Sequence, residues 1–161
     1  KLNEKFIIYI VGGPLERVKK YREIIHKYKI DFQKIVFLGR QEVKTIPIWL
    51  RAADILLMPH PNTTFYQKYV SPLKLFEYMC SKNPIIASNL PSIKEILEHK
   101  KNSYLVDAGS FESIAKAIEF IARNKKFANK IAEKAFNDVD NFSWFKRGQR
   151  ITKFITYRIN K

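Results

Sequence analysis

Between Ser71 and Met79 the chain reads Ser-Pro-Leu-Lys-Leu-Phe-Glu-Tyr-Met, which sets a hydroxyl, a cation and a carboxylate within two helical turns. Ser71 suits an N-cap and Pro72 the first helical position, so a helix is expected to begin there. A helix N-terminus favours negative charge, yet this first turn carries Lys74 and no carboxylate. From Pro59 to Phe76 there is no Asp or Glu at all, while His60, Lys68 and Lys74 fall inside the segment. A cation at the positive end of a helix dipole fits a bound anion lying between the two. Glu77, one turn on, is placed to accept hydrogen bonds from a polar group beside that anion. Phosphate next to sugar hydroxyls is the simplest ligand with both features. The plain alternatives are a Lys74 that points into water and a Glu77 that pairs with it on the helix surface.

These residues need a scaffold, and the pattern of apolar runs supplies one. Phe6 to Val11 is a continuous apolar run that ends at Gly12-Gly13, as in a strand buried on both faces. Leu15, Val18, Tyr21, Ile25 and Tyr28 then recur at helical spacing. Ile35 to Leu38 forms a second strand closed by Gly39, and Thr45 is expected to cap a helix facing inward through Ile46, Trp49, Leu50 and Ala53. Ile55 to Met58 makes a third strand stopped by Pro59. A polar and aromatic loop from His60 to Val70 leads into the helix at Pro72, and loops of this length inside a domain usually serve function.

Pro84 to Ala87 and Ser103 to Val106 complete five strands, with a short helix at Ser92 to Leu97 between them. Two amphipathic helices follow, on Phe111, Ile114, Ala115, Ile118, Ile121 and Ala122 and then on Phe127, Ile131, Ala135 and Val139. Ser143 caps a last helix bearing Trp144, Ile151 and Ile155. Strand and helix alternation of this kind predicts an α/β fold, a parallel sheet with helices on both faces. Ligands of such sheets bind beyond the carboxyl ends of the strands. Gly12, Gly13, Gly39, Arg40, the segment 59–71 and the Ser88-Asn89 turn all lie there.

At 161 residues the chain suits one domain with a real core, and 46% hydrophobic residues argue against disorder. A single cysteine, Cys80, excludes an internal disulfide, fits a reducing compartment, and among Phe76, Met79 and Pro84 is expected to fill core. The three histidines lack metal-ligand spacing, so no metal is expected. No apolar run is long enough to span a bilayer. Thirty Lys and Arg against fifteen Asp and Glu give a net charge of +15, which favours anionic partners, a membrane surface or nucleic acid. The plain reading of the same balance is a lysine-rich coating of solvated faces.

Four segments, taken together, resemble the C-terminal half of GT-B glycosyltransferases of the family-4, retaining type. They are Val11-Gly12-Gly13-Pro14; Val36-Phe37-Leu38-Gly39; Ala52-Ala53-Asp54-Ile55 with Met58-Pro59; and Pro72 to Ile96, with Glu77-Tyr78-Met79 and Asn83-Pro84-Ile85-Ile86-Ala87-Ser88 inside it. Leu105-Val106-Asp107 and Trp144 extend the likeness over nearly the whole chain. The resemblance implies a Rossmann-like domain over residues 1–142 that binds a nucleotide-sugar donor. It also implies a C-terminal helix, 143–161, that packs toward an N-terminal acceptor domain this chain does not contain. In such enzymes the helix N-terminus at Pro72 and Leu73 receives the donor phosphates, the carboxylate at Glu77 grips the ribose, and the backbone from Phe37 to Arg40 meets the nucleobase.

The sequence departs from the family pattern at Tyr69, where a first glutamate is usual. Ser71 and Lys74 then hold phosphate or sugar in its place, and His60 is a candidate polar contact. The family also opens this domain with an earlier strand and helix, so the chain is expected to be part of a longer enzyme and inactive alone. The implied activity is retaining transfer to a glycan or lipid-linked acceptor in bacterial cell-surface polysaccharide synthesis, without metal or other cofactor. The implied setting is the cytoplasm, with peripheral attachment to the inner face of the membrane. Rival readings are a GT-B sugar epimerase, a non-catalytic subunit, or a basic nucleic-acid-binding module. No nucleic-acid motif supports the last, and no nucleic-acid partner is expected.

Overall fold

The five strands of the described residues pair in parallel, and their ladders form two sets. The computed structural model describes residues 6–14, 16–29 and 31–159. The chain divides into two units, Lys1–Trp49 and Leu50–Lys161.

In the first unit β1 (Ile8–Val11) pairs with β2 (Ile35–Gly39), with a register shift between Ile10 and Val11. Helix α1 (Glu16–Lys27) buries Ile25, and Tyr21 stacks on Phe37 with ring centroids 5.8 Å apart. Tyr28 lies beyond the helix and is exposed, and the Leu15 position of the expected stripe falls outside the described residues. The expectation for β1 needs correction. It was to be covered on both faces, yet Ile8, Tyr9 and Ile10 are exposed. β2 is its only partner among the described residues, and one ladder with one helix cannot cover both faces of a strand.

Helix α2 (Ile46–Ala52) follows a 3-10 turn, Val43–Thr45. Thr45 does not cap it as expected: its hydroxyl donates back to the Glu42 carbonyl at 2.8 Å, closing that turn. A Ser or Thr hydroxyl has both choices, and the local turn wins here.

The second unit is built on β3 (Leu56–Met58), β4 (Ile85–Ser88) and β5 (Tyr104–Val106), in the order β3-β4-β5. All four residues of central β4 are buried, which explains why its sequence is apolar without alternation. Helix α3 (Thr64–Lys68) lies within the stretch expected to be loop; five residues are too few to show a periodicity. Helix α4 (Leu73–Cys80) puts Leu75 and Met79 into the core and packs against α7 (Lys125–Val139). α5 (Pro91–Lys94) is shorter than expected but buries Ile93 beside Leu90 and Leu97. α6 (Phe111–Arg123) is capped by Ser110, whose hydroxyl accepts from Ser113 N–H, and buries Ala117, Ile118 and Ile121. On α7 the buried stripe is Ala128, Ile131, Ala132 and Ala135.

The last helix, α8 (Trp144–Ile159), begins where Ser143 predicts, with Lys146 N–H donating to its hydroxyl at 3.3 Å. No residue of α8 is buried. Cys80 is exposed, not core: it closes α4 one residue past Met79 and so turns to the other side.

Candidate functional site

In the second unit, three segments bring the predicted residues to the carboxyl ends of β3 and β4. Met58 closes β3, and the chain passes through Pro59 to His60, where Ser88 holds it. The Ser88 hydroxyl accepts the His60 N–H at 2.8 Å and donates to the His60 carbonyl at 2.9 Å. The His60 ring stacks on Tyr66 of α3, with centroids 4.7 Å apart. Ser92 fixes α3 in turn, donating to the Tyr66 carbonyl at 2.6 Å. Buried serines on β4 and α5 thus anchor a segment that carries little core of its own. His60 keeps a buried Nε2 without a hydrogen-bond partner among the described residues. Such a nitrogen calls for water or a ligand atom. Burial, and then the charge of Lys74, hold the imidazole below its ordinary pKa, so it is neutral near pH 7. That coupling also sets Lys74 within electrostatic reach of His60.

The start of α4 differs by one residue from expectation. Pro72 is extended, at φ −74° and ψ 115°, and its carbonyl accepts Leu75 N–H at 3.0 Å, so Pro72 itself is the N-cap. Ser71 lies outside the helix, because a residue before proline is driven to extended conformations. No side chain caps α4. The amides of Leu73 and Lys74, at the first turn, have no partner within a helix and stay open to an anion.

Lys74 and Glu77 are both exposed, and among the described residues neither takes part in an ion pair. The alternative in which Glu77 merely pairs with Lys74 is therefore not realised. Glu77 acts on the neighbouring Tyr78 instead: burial, and then this carboxylate, push the phenol pKa upward, and the protonated hydroxyl donates to the Leu57 carbonyl at 3.4 Å. Tyr69, at the end of α3, and Leu73 are exposed beside these groups in sequence. The second unit therefore collects His60, Pro72, Leu73, Lys74 and Glu77 on or next to two strand ends and one helix start.

In the first unit, Gly12, Gly13, Gly39 and Arg40 meet where β1 and β2 end. Gly12 N–H donates to the Gly39 carbonyl at 2.7 Å. Gly12 and Gly13 hold φ of +104° and +77°, a region that penalises any Cβ, so a tight turn here requires glycine. Gly39 is buried while Arg40 is exposed. Gln41 braces the turn by donating to the Leu38 carbonyl at 2.8 Å.

Sequence reasoning placed the Ser88-Asn89 turn at the strand ends and Asn83 in a family segment without seeing what either side chain holds, and it missed Ser92 and Tyr66 as residues that shape the site. Asn83 donates to the Leu50 carbonyl at 2.6 Å and so ties the end of α2 to the entry of β4. Its signals were an asparagine two residues before an apolar strand and its place in that family segment. Among the described residues no group of three or more His, Cys, Asp or Glu could hold a metal ion.

The family model described as Glycosyl transferases group 1 matches residues 1–124. The chain belongs to this family. Glycosyltransferase TuaH of Bacillus subtilis (strain 168), named for teichuronic acid biosynthesis, is 27% identical over 90 residues, 56% of this chain and 22% of that protein. An uncharacterized glycosyltransferase of Haemophilus influenzae (strain ATCC 51907 / DSM 11121 / KW20 / Rd) is 29% identical over 134 residues, 73% of this chain and 38% of that protein. Among solved structures, Anabaena Alr3699/HepE in complex with UDP aligns at a TM-score of 0.75 and 20% identity, over 94% of this chain and 41% of that one. The C-terminal domain of the group 1 glycosyl transferase LpcC from Francisella tularensis aligns at 0.61 and 27% identity, over 79% and 62%. The mixed α/β architecture with parallel sheets and flanking helices is that of GT-B glycosyltransferases. This group 1 chain spans about a fifth to two-fifths of the length of TuaH, the Haemophilus protein and HepE.

Proposed function

We propose that this chain is the donor-binding part of a glycosyltransferase that takes a nucleotide-diphospho-sugar. The observation that carries the reading is the start of α4. Open amides at Leu73 and Lys74, and a Lys74 ammonium and a Glu77 carboxylate that take part in no ion pair among the described residues, stand within one helical turn and a half. Diphosphate suits the first three groups, and a vicinal diol suits the fourth. Uridine is the first nucleoside to try, since the HepE relative was solved with UDP and with UDP-glucose.

In this reading the bond between the sugar anomeric carbon and the diphosphate oxygen breaks while an acceptor hydroxyl attacks the same carbon from the same face and passes its proton to the departing phosphate oxygen. The diphosphate leaves with the bonding electrons, and the α4 dipole with Lys74 stabilises that charge. The sugar passes through an oxocarbenium-like state, and its configuration is retained. Ser71 and Tyr69 border the sugar. Neither metal nor other cofactor takes part. The acceptor is a glycan or lipid-linked acceptor in cell-surface polysaccharide synthesis, in keeping with the name of TuaH.

Ligand-observed NMR with UDP, GDP, ADP and their glucose conjugates tests the proposal. At least one nucleoside diphosphate is expected to show saturation transfer at millimolar concentration. Silence across the whole panel would remove the donor-site reading.

A further inference from the structure

His60 is the single imidazole in the acid-free segment from Pro59 to Phe76. Ser88 takes both of its backbone groups, and the Tyr66 ring lies 4.7 Å away with 24° between the planes. Backbone and ring are thus held from two sides, so the two ring nitrogens do not freely exchange places. Nε2 is buried and has no hydrogen-bond partner among the described residues. Nδ1 has none there either, but it is not closed off from solvent. The ring therefore has an inner nitrogen and an outer one.

A neutral imidazole carries one N–H and one lone pair, and either nitrogen can hold the hydrogen. A buried N–H without an acceptor is rarer in folded proteins than a buried acceptor without a donor. Burial thus favours the tautomer with its lone pair at Nε2 and its hydrogen at Nδ1. A second proton would set an N–H at the buried Nε2 and a second cation beside Lys74, and both effects keep the ring neutral near pH 7. Among the described residues Lys74 on α4 is the charged group that acts on the ring, while Tyr66 on α3 and Ser88 on β4 face it without charge-bearing carboxylates. The amide of Gln67 in the same segment is already spent on Asn62, at 2.6 Å. What the outer nitrogen offers is a neutral donor next to a lysine, on a ring whose faces alone are needed for packing.

We propose that His60 is held as the Nδ1–H tautomer and donates that hydrogen to a phosphate oxygen of the bound nucleotide, beside the Lys74 ammonium. The phosphate contact rests on the donor-site reading above, whereas the tautomer belongs to the chain itself.

Two measurements test this. Long-range proton–nitrogen NMR spectra of the histidine-labelled 161-residue chain at pH 7.5, without ligand, are expected to show a pyrrole-type Nδ1 and a pyridine-type Nε2 for His60. The reverse assignment would overturn the proposal. UDP and uridine are then titrated into the parent, His60→Asn and His60→Phe, with circular dichroism confirming that each folds. Asparagine sets an amide N–H near the place of Nδ1, while phenylalanine keeps a ring against Tyr66 and has no donor. His60→Asn is expected to bind UDP within about threefold of the parent, His60→Phe about tenfold more weakly, and uridine to bind all three alike. A role in packing alone reverses the order, with phenylalanine holding and asparagine losing, and would overturn the proposal. So would equal loss in both variants, or a loss for uridine as large as for UDP. A parent that binds no UDP, GDP or ADP would remove the donor-site reading and this contact together, whereas nucleotide binding in the wrong order removes the contact alone.

Discussion

Ser88 and His60 are joined by two hydrogen bonds that run in opposite directions, one accepted by the serine hydroxyl at 2.8 Å and one donated by it at 2.9 Å. The pair links the end of β4 to the first turn after β3, across 28 residues of sequence. Ser88 is fully buried, so neither bond is open to replacement by bulk water. Ser88→Ala is therefore expected to cost about 1–3 kcal/mol, since it leaves the His60 N–H and carbonyl unpaired. Urea unfolding followed by circular dichroism measures this. An unchanged midpoint would show that the pair does not hold the segment.

The strand ends and the exposed charges of Lys74 and Glu77 on α4 were legible in the sequence, and the physical reason is local. A run such as Ile85-Ile86-Ala87 has few ways to be buried other than as a central strand. Lys74 and Glu77 declare themselves by charge against a helix start. The Ser88-His60 link, the stack of His60 on Tyr66 and the reach of Asn83 to Leu50 were not legible. Each depends on which distant segment lies alongside, and one serine in a strand looks like another. Helix α3 was hidden by its shortness, and the one-residue shift at Pro72 by two cap signals standing side by side.

Glu77→Ala is expected to weaken a nucleoside diphosphate and its parent nucleoside alike, by about tenfold or more. Charged hydrogen bonds contribute about 1.5–3 kcal/mol, and the ribose diol is common to both ligands. Parallel titrations of UDP and uridine read the effect. An Ala variant that binds both as the parent does would free Glu77 of this role.

Lys74→Ala is expected to behave differently. Its loss falls on the phosphates, so UDP weakens several-fold, UMP less, and uridine hardly at all. The effect also shrinks as salt is raised, because the lysine is exposed. Equal loss for uridine and UDP would place the lysine elsewhere.

His99 gives the fold a dependence on pH. Its Nδ1 accepts the Leu105 N–H at 3.0 Å, which only the neutral tautomer can do. Burial, and then Lys100, lower its pKa from the ordinary 6.5. The unfolded chain thus takes up the proton at higher pH than the folded chain. Stability is full above about pH 6.5, falls as the pH drops below it, and levels off beneath the folded value. His60 shifts in the same direction and adds to the trend. Thermal unfolding at pH 7.5 and 5.5 should show the loss, and His99→Asn should reduce it. A melting temperature that rises on acidification would contradict this account.

Asn102 supports the turn before β5 from a buried position. It accepts Glu98 N–H at 2.7 Å and donates to the Ile96 carbonyl at 3.2 Å and to Asp138 of α7 at 3.0 Å. Asn102→Ala is expected to cost about 1–3 kcal/mol through the unpaired Glu98 amide and Ile96 carbonyl. Asn102→Asp should also destabilise, because it sets a second carboxylate against Asp138. Denaturant midpoints for the two variants check both statements.

The open start of α4 is proposed to grip a diphosphate while Glu77 grips the ribose. Residue-resolved NMR tests it most directly: backbone amide shifts of the labelled chain during titration with UDP, and with GDP or ADP if the panel favours them. The largest shifts are expected on the amides of Leu73 and Lys74, with Glu77 next, and uridine alone is expected to move Glu77 but not the first turn. Saturable shifts that leave residues 72–77 unmoved, or none with any nucleotide at millimolar concentration, would contradict it.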